Sequence, residues 1–142
     1  MATATVTWQH DGLLLEGEND TGNKIILDSA GQVGGQNRGP RPLQLLLIGL
    51  AGCTAMDVIS ILQKQRQPLQ DFQVIVTADQ ADKHPKVYTK IHIEYVATGA
   101  INEKALTRAI ELSETTYCSA QAMLRHAAEI SSSYRIVPPA SA

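Results

Sequence analysis

A chain of 142 residues with a net charge of −2 is long enough for one domain with a single hydrophobic core. Its 12 lysines and arginines are scattered and only 4% of its residues are aromatic, which argues against a surface for nucleic acid. The first residues lack the basic and apolar regions of a signal peptide, and two cysteines without such a signal are typical of a reducing compartment. We therefore expect a cytoplasmic protein with no nucleic-acid partner.

The first third of the chain predicts an antiparallel β-meander. Apolar residues alternate with threonines over residues 3–8, and further strands are predicted at 13–15 and 24–28. The segments between them are rich in Asp, Asn and Gly, which favour turns. Residues 29–41 are polar and rich in glycine, and they predict a loop long enough to cover a site or to reach a neighbouring subunit.

A long central helix follows. Pro42 suits the first turn of a helix, and the apolar run after it continues to about Gln67, where Pro68 marks the end. The run is about as long as a membrane span, but Asp57 would be costly near the centre of a bilayer. We therefore predict a buried helix of a protein that has no membrane partner.

The rest of the chain predicts a hairpin, two shorter helices and a final strand. Strands are predicted at 72–78 and 87–96, helices at 102–115 and 119–129, and a last strand at 134–137. The order β-β-β-α-β-β-α-α-β indicates an α+β fold in a single domain that spans residues 1–142.

The two cysteines are the residues most suggestive of chemistry. Cys53 lies about eleven residues inside the central helix, too far from its N-terminus for the helix dipole to stabilise a thiolate. Asp57, one turn later, would disfavour that thiolate, so Cys53 needs a cation from elsewhere in the chain. Cys118 lies at the predicted start of another helix and, on spacing alone, is the more activated thiol. Either cysteine is alternatively a small buried apolar side chain.

Two segments around these cysteines resemble a known family. Residues 42–66 are similar to the central helix of the OsmC/Ohr proteins (osmotically inducible protein C and organic hydroperoxide resistance proteins), and Tyr117-Cys118-Ser119 is similar to their second cysteine motif. The similarity is greatest to the YhfA-like subgroup, through the motif Cys53-Thr54-Ala55-Met56-Asp57-Val58-Ile59-Ser60-Ile61-Leu62.

The resemblance implies an intertwined homodimer that reduces small organic hydroperoxides. In such proteins the first cysteine, here Cys53, attacks the peroxide and becomes a sulfenic acid. The second, here Cys118, then condenses with it to a disulfide that an external dithiol reduces. Arg38 lies in the segment where the family has its activating arginine, and Arg41 is the alternative.

Two residues depart from the pattern of the family. Gln44 stands where a glutamate usually holds the arginine, and it offers a hydrogen bond without charge. Ser119 replaces the proline that follows the second cysteine in better-known hydroperoxidases. We predict that Gln44, Leu50 and Met56 contribute to an apolar substrate pocket beside the central helix.

Two other functions remain open from the sequence. One is a dimer that binds a small ligand in the same pocket without turnover, and the other is a structural disulfide between the two cysteines. The four histidines are dispersed without zinc-ligand spacing, so neither a metal nor another cofactor is predicted.

Overall fold

The computed structural model describes residues 1–141, which form two compact units, Met1–Leu46 and a second one that begins at Leu47. Each unit contains one β-sheet of three strands. Strands and helices together confirm the predicted α+β class. The prediction that residues 1–142 are a single domain stays a prediction.

The first unit contains the predicted antiparallel meander. Its strands are β1 (Ala4–Trp8), β2 (Leu15–Asn19) and β3 (Lys24–Leu27), in that spatial order. The glycine-rich segment after β3 contains one 3₁₀ turn and folds back onto the end of that strand. At Gly35 a Cβ atom would lie 2.1 Å from the Ser29 carbonyl oxygen, so only glycine permits this close approach.

Helix α1 (Pro42–Lys64) has defined signals at both ends. At its start, the Gln44 side-chain oxygen accepts a hydrogen bond of 3.0 Å from the Arg41 N–H, which is one half of a capping box. At its end, Arg66 adopts a left-handed conformation with φ of 56°, and the Gln67 N–H donates to the Leu62 carbonyl at 3.0 Å. This Schellman-type end stops the helix three residues before the predicted limit.

In the single chain α1 is buried along one stripe only. The buried residues recur at every fourth position: Leu50, Thr54, Val58 and Leu62. Ile48 and Met56 on other faces are exposed. The helix is long and apolar enough to cross a membrane, a property that core helices of soluble proteins share. Thr54 and Asp57 hydrogen-bond to residues of other elements, which suits a helix packed inside a soluble fold.

The second unit contains a mixed sheet. Strands β4 (Leu69–Gln80) and β5 (Tyr88–Gly99) form the predicted antiparallel hairpin. Strand β6 (Glu129–Val137) pairs in parallel with β5, which places β5 in the centre of the sheet. A parallel pair needs a long crossover connection, and the helices after β5 supply it.

The crossover differs from the prediction in its boundaries. It consists of α2 (Glu103–Leu112), a π-helical turn (Ser113–Tyr117) and α3 (Ser119–Leu124). The prediction of a last helix up to residue 129 was wrong, because β6 already begins there and pairs with β5 along nine residues. Pairing with a central strand thus outweighs the local helical pattern.

The core of the second unit joins α1, β5 and the crossover. The hydroxyl-bearing Tyr95 of β5 is fully buried among aliphatic side chains. Cys118 belongs to the same cluster and Cys53 packs against it. The aliphatic core residues with no exposed surface are Leu50, Val58, Leu62, Ile93, Ala97, Leu106 and Ala109.

Candidate functional site

The structure brings the two cysteines and one carboxylate together in the second unit. The Sγ atoms of Cys53 and Cys118 and a carboxylate oxygen of Asp57 all lie within 4.8 Å of one another. Cys53 and Asp57 are four residues apart on α1, a spacing that puts their side chains on the same face. Both thiols are free, with Cys118 buried and Cys53 partly buried. Since a disulfide needs a sulfur separation of about 2.05 Å, a modest displacement would join them.

The π-helical turn positions Cys118. The Cys118 N–H donates to the Ser113 carbonyl at 2.8 Å, a bond that spans five residues and closes the wide turn. Cys118 is also the N-cap of α3, where its sulfur accepts a hydrogen bond of 3.4 Å from the Gln121 N–H. These two backbone bonds hold the sulfur at the junction between α2 and α3.

The pKa of Cys118 is raised to about 11, in contrast to the expectation from spacing. Burial is the largest cause, and the hydrogen bond from the Gln121 N–H opposes it only in part. The neighbouring Cys53 and Asp57 raise the pKa further. The sequence-based preference for Cys118 as the activated thiol was therefore wrong: α3 has only six residues and places one N–H on a sulfur that is otherwise desolvated.

A buried chain of hydroxyl groups leads to Asp57. The Tyr95 hydroxyl lies 2.9 Å from the Thr54 Oγ1, which lies 2.7 Å from the Ser113 Oγ. The Ser113 hydroxyl donates to the Asp57 carboxylate at 2.9 Å. Tyr95, Thr54 and Ser113 have no exposed surface, so each of these hydrogen bonds satisfies groups that water does not reach.

The chain of hydroxyls has one direction when Asp57 is ionised. A carboxylate only accepts hydrogen bonds, so the Ser113 proton must point to Asp57. Thr54 must then donate to Ser113, and Tyr95 to Thr54. The oxygen of Tyr95 is left as an acceptor, and burial, the largest cause, raises the pKa of Tyr95. Among residues 1–141, the Gln121 Nε2 is the only buried side-chain nitrogen or oxygen atom with no hydrogen-bond partner.

A cavity of about 360 Å³ opens beside Asp57. It lies between the C-terminal half of α1 and the residues around the π-helical turn. Its lining residues are Asp57, Ser60, Ile61, Lys64, Gln65, Leu112 and Tyr117. Asp57 therefore has access both to the two sulfur atoms and to a space that small molecules can enter.

Two thiols and a carboxylate are also donors that suit zinc. Their spacing would allow one soft divalent cation to contact all three groups. Such a cation would compete with redox chemistry, because it takes the thiolates as ligands. Assays of the thiols therefore need a chelator.

Arg38 lies in the first unit and is held by two carboxylates. Its Nε donates to the Asp28 Oδ2 at 3.0 Å, and its Nη1 forms an ion pair with Asp11. The hydrogen bond to Asp11 raises the pKa of Arg38 most, and the hydrogen bond to Asp28 raises it further. Asp28 is buried, which opposes its ionisation, but hydrogen bonds from the N–H groups of Ser29, Arg38 and Gln36 and from the Arg38 guanidinium hold its pKa far below the ordinary value.

The other predicted site residues differ in their contacts and in their exposure. Gln44 accepts from the backbone of Arg41 rather than from a guanidinium, and the Arg41 guanidinium hydrogen-bonds the Asn37 side chain. Leu50 has no exposed surface and belongs to the core, whereas Met56 is 75% exposed. The predicted roles of Gln44, Leu50 and Met56 in substrate binding stay predictions.

The residues that hold Asp57 and Arg38 in place were not identified from the sequence. Thr54 and Ser113 each interrupt the apolar stripe of a helix, and a polar residue at a buried position signals an internal hydrogen bond. Tyr95 likewise follows Ile91 and Ile93 on the inner face of β5. Asp28 directly follows the apolar strand β3, and no sequence signal showed that it would be buried beside Arg38.

Both the sequence and the fold have relatives among known proteins. Residues 35–133 match the model of the family described as OsmC-like protein. Protein YhfA of Escherichia coli K12 is 37% identical over 135 residues, which cover 94% of this chain and 97% of the relative.

Two solved structures illustrate the shared fold. A hypothetical protein from Aquifex aeolicus VF5 superimposes with a TM-score of 0.85 at 29% identity, over 99% of this chain and 98% of the other. A protein from Legionella pneumophila, described as an organic hydroperoxide resistance protein OsmC, has a TM-score of 0.66 at 17% identity, over 94% and 96% of the two chains. At that identity the second likeness concerns the fold alone.

Proposed function

Because the chain belongs to the OsmC-like protein family, we propose that it is a thiol-dependent reductase of organic hydroperoxides. The observation that carries the proposal is the distance of less than 4.8 Å between the Sγ atoms of Cys53 and Cys118, which come from α1 and the end of the crossover. Two free thiols so close inside a core are suited to reversible disulfide formation.

The proposed cycle has three steps. The Cys53 thiolate attacks the terminal peroxide oxygen, the O–O bond breaks, and the alkoxide leaves and takes up a proton to become an alcohol. Sulfur is oxidised to the sulfenic acid as the peroxide is reduced. The Cys118 sulfur then displaces the hydroxyl group, giving a disulfide and water. An external dithiol reduces the disulfide and is itself oxidised to a disulfide.

The thiolate of Cys53 needs a positive charge, since Asp57 lies beside it. We assign this role to Arg38, as the resemblance implies. The two carboxylates that hold Arg38 orient its guanidinium, the role that the resemblance gives to a glutamate, while Gln44 caps α1. An Arg38→Met variant lacks the cation that stabilises the Cys53 thiolate, so it should react with peroxide at least tenfold more slowly. A tenfold loss in rate corresponds to about 1.4 kcal/mol of lost stabilisation.

The homodimer is part of the proposal. Proteins of this family are commonly dimeric, and the second unit leaves large apolar side chains exposed: Ile48 at 56%, Met56 at 75%, Tyr117 at 58% and Met123 at 69%. Apolar side chains so exposed are costly on a monomer and typical of an interface. Light scattering should give twice the chain mass for the parent, and a smaller mass for Met56→Lys.

The test of the function is a single-turnover reaction of reduced protein with cumene hydroperoxide, in the presence of a chelator. We expect one equivalent of peroxide to be consumed, with the loss of both free thiols and of two hydrogens in the intact mass. Cys53→Ser should leave the peroxide intact, whereas Cys118→Ser should consume it and stop at a mass gain of one oxygen.

The opposite result would favour the alternative function. If both thiols persist after exposure to peroxide, the protein is better described as a dimer that binds a small ligand without turnover. The need for an external dithiol is the reason for placing the active protein in the reducing cytoplasm.

A further inference from the structure

In the second step of the proposed cycle, a proton has to move from the Cys118 thiol to the hydroxyl group that leaves Cys53. Cys118 is 3% exposed and its pKa is raised to about 11, so its thiol keeps its proton at neutral pH. The thiol must lose that proton to attack, while the hydroxyl on Cys53 must gain one to leave as water. Water itself is largely excluded from the Cys118 sulfur.

One carboxylate lies near both of the groups that exchange this proton. In the part of the chain that the structure describes, Cys53, Asp57 and Cys118 are the only cluster of three or more potential ligand groups, and no second carboxylate or histidine belongs to it. The carboxylate oxygen lies within 4.8 Å of both sulfur atoms. After oxidation, the sulfenic oxygen is bonded directly to the Cys53 sulfur and so belongs to the same cluster.

The position of Asp57 is tied to that of Cys118 through a single residue. The Ser113 hydroxyl donates to the Asp57 Oδ2, and the Ser113 carbonyl accepts from the Cys118 N–H. The buried hydroxyls of Thr54 and Tyr95 continue the same hydrogen-bonded chain behind Ser113. Asp57 is thus held as a preorganised acceptor, and the adjacent cavity lets the product water leave.

From this arrangement we propose that Asp57 is the proton shuttle of disulfide formation. As the S–S bond forms and the S–O bond breaks, Asp57 accepts the proton of the Cys118 thiol and delivers it to the oxygen that leaves Cys53 as water. Nothing else is oxidised or reduced in this step, and the carboxylate is regenerated. Because transfer accompanies bond formation, Asp57 does not have to hold the proton as a stable acid. The inference rests on the proposed peroxide reduction.

The Asp57 carboxylate should slow the first step, peroxide attack, and speed the second step, disulfide formation. Its negative charge opposes the thiolate of Cys53, so removing the charge should leave peroxide attack unchanged or make it faster. Removing the carboxylate should slow the second step by about 10² to 10⁴, the usual contribution of general acid–base catalysis. A simple loss of structure would slow both steps.

The experiment follows Asp57→Asn and parent by quenched-flow mass spectrometry after one equivalent of cumene hydroperoxide. Asparagine keeps an acceptor for Ser113 but cannot shuttle the proton. We expect oxygen to be gained at the parent rate or faster, and the loss of two hydrogens to be slowed at least hundredfold. Asp82→Asn, the same charge change in an exposed loop, should match the parent in both steps. A disulfide that forms in Asp57→Asn within threefold of the parent rate overturns the proposal.

A second arm separates failure of the shuttle from failure of the peroxide chemistry. Cys53 is first converted to its mixed disulfide with thionitrobenzoate, and the release of that coloured group then reports the attack of Cys118 without any peroxide. Asp57→Asn should release it at least tenfold more slowly than the parent, and equal rates overturn the proposal. If Asp57→Asn does not fold, Ser113→Ala takes its place and should show the same slowing of both disulfide-forming reactions with normal peroxide attack.

Discussion

Replacing Thr54 with valine removes the central member of the buried hydroxyl chain while keeping the shape of the side chain. Thr54 contacts the hydroxyls of Tyr95 and Ser113 at 2.9 and 2.7 Å, and all three residues have no exposed surface. Each lost hydrogen bond costs about 1 kcal/mol, and a buried donor without a partner costs about 1–3 kcal/mol more. Ser113 keeps Asp57 as its acceptor, so only the Tyr95 hydroxyl is stranded. We expect Thr54→Val to lower the free energy of unfolding by about 3–5 kcal/mol.

The assay is urea unfolding of the reduced protein, followed by circular dichroism at one protein concentration, because the stability of a dimer depends on concentration. Thr54→Ser keeps the hydroxyl and should lose only about 1 kcal/mol, for the deleted methyl group. The double variant Thr54→Val, Tyr95→Phe removes the stranded hydroxyl and should regain about 1–2 kcal/mol relative to Thr54→Val alone. A loss of less than about 0.5 kcal/mol for Thr54→Val, or no recovery in the double variant, would refute the reasoning.

Three further predictions concern charge and oxidation. Because the folded-state pKa of Asp28 lies below the unfolded value, its contribution to stability is present above about pH 4 and is lost as the pH falls towards the folded pKa. Urea unfolding at pH 3 and 7 should therefore show a smaller pH difference for Asp28→Asn than for the parent. The folded-state pKa of Cys118 lies above the unfolded value, so the reduced parent should lose stability between about pH 8.5 and 11, and Cys118→Ala should lose less over that range. In Cys118→Ser, dimedone should trap the Cys53 sulfenic acid in high yield after peroxide, whereas in the parent the disulfide should form first; equal trapping in the two proteins would contradict the order of the steps.

Most of the fold could be predicted because its elements carry strong local signals. The alternation in β1, the proline at the start of α1 and the helix predicted from residue 102 each correspond to an observed element. The end of the crossover could not be predicted in the same way. Strand β6 begins at residue 129, five residues before its predicted start, because it pairs with β5, a contact that is distant in sequence.

The resemblance to a family suggested that the two cysteines would lie close together, but the sequence did not indicate the electrostatics around them. The resemblance pointed to Cys53, Cys118 and Arg38, but spacing alone predicted a lowered pKa for Cys118 where burial raises it, since spacing shows a helix start and does not show burial. The partner of Arg38 illustrates the same limit. Position 44 was the expected place for an acceptor, and the chain supplies it from Asp28, ten residues before the arginine.

The π-helical turn determines which mutations the protein tolerates between Ser113 and Cys118. Ser113 and Cys118 are joined through a bond that spans five residues, whereas a regular helix would span four. Deleting one residue between them would turn every later side chain by about 100° around the helix axis and carry the Cys118 sulfur away from Cys53. Thr116 inside the turn can vary more freely, as its side chain is exposed. For this stretch, the number of residues matters more than their identity.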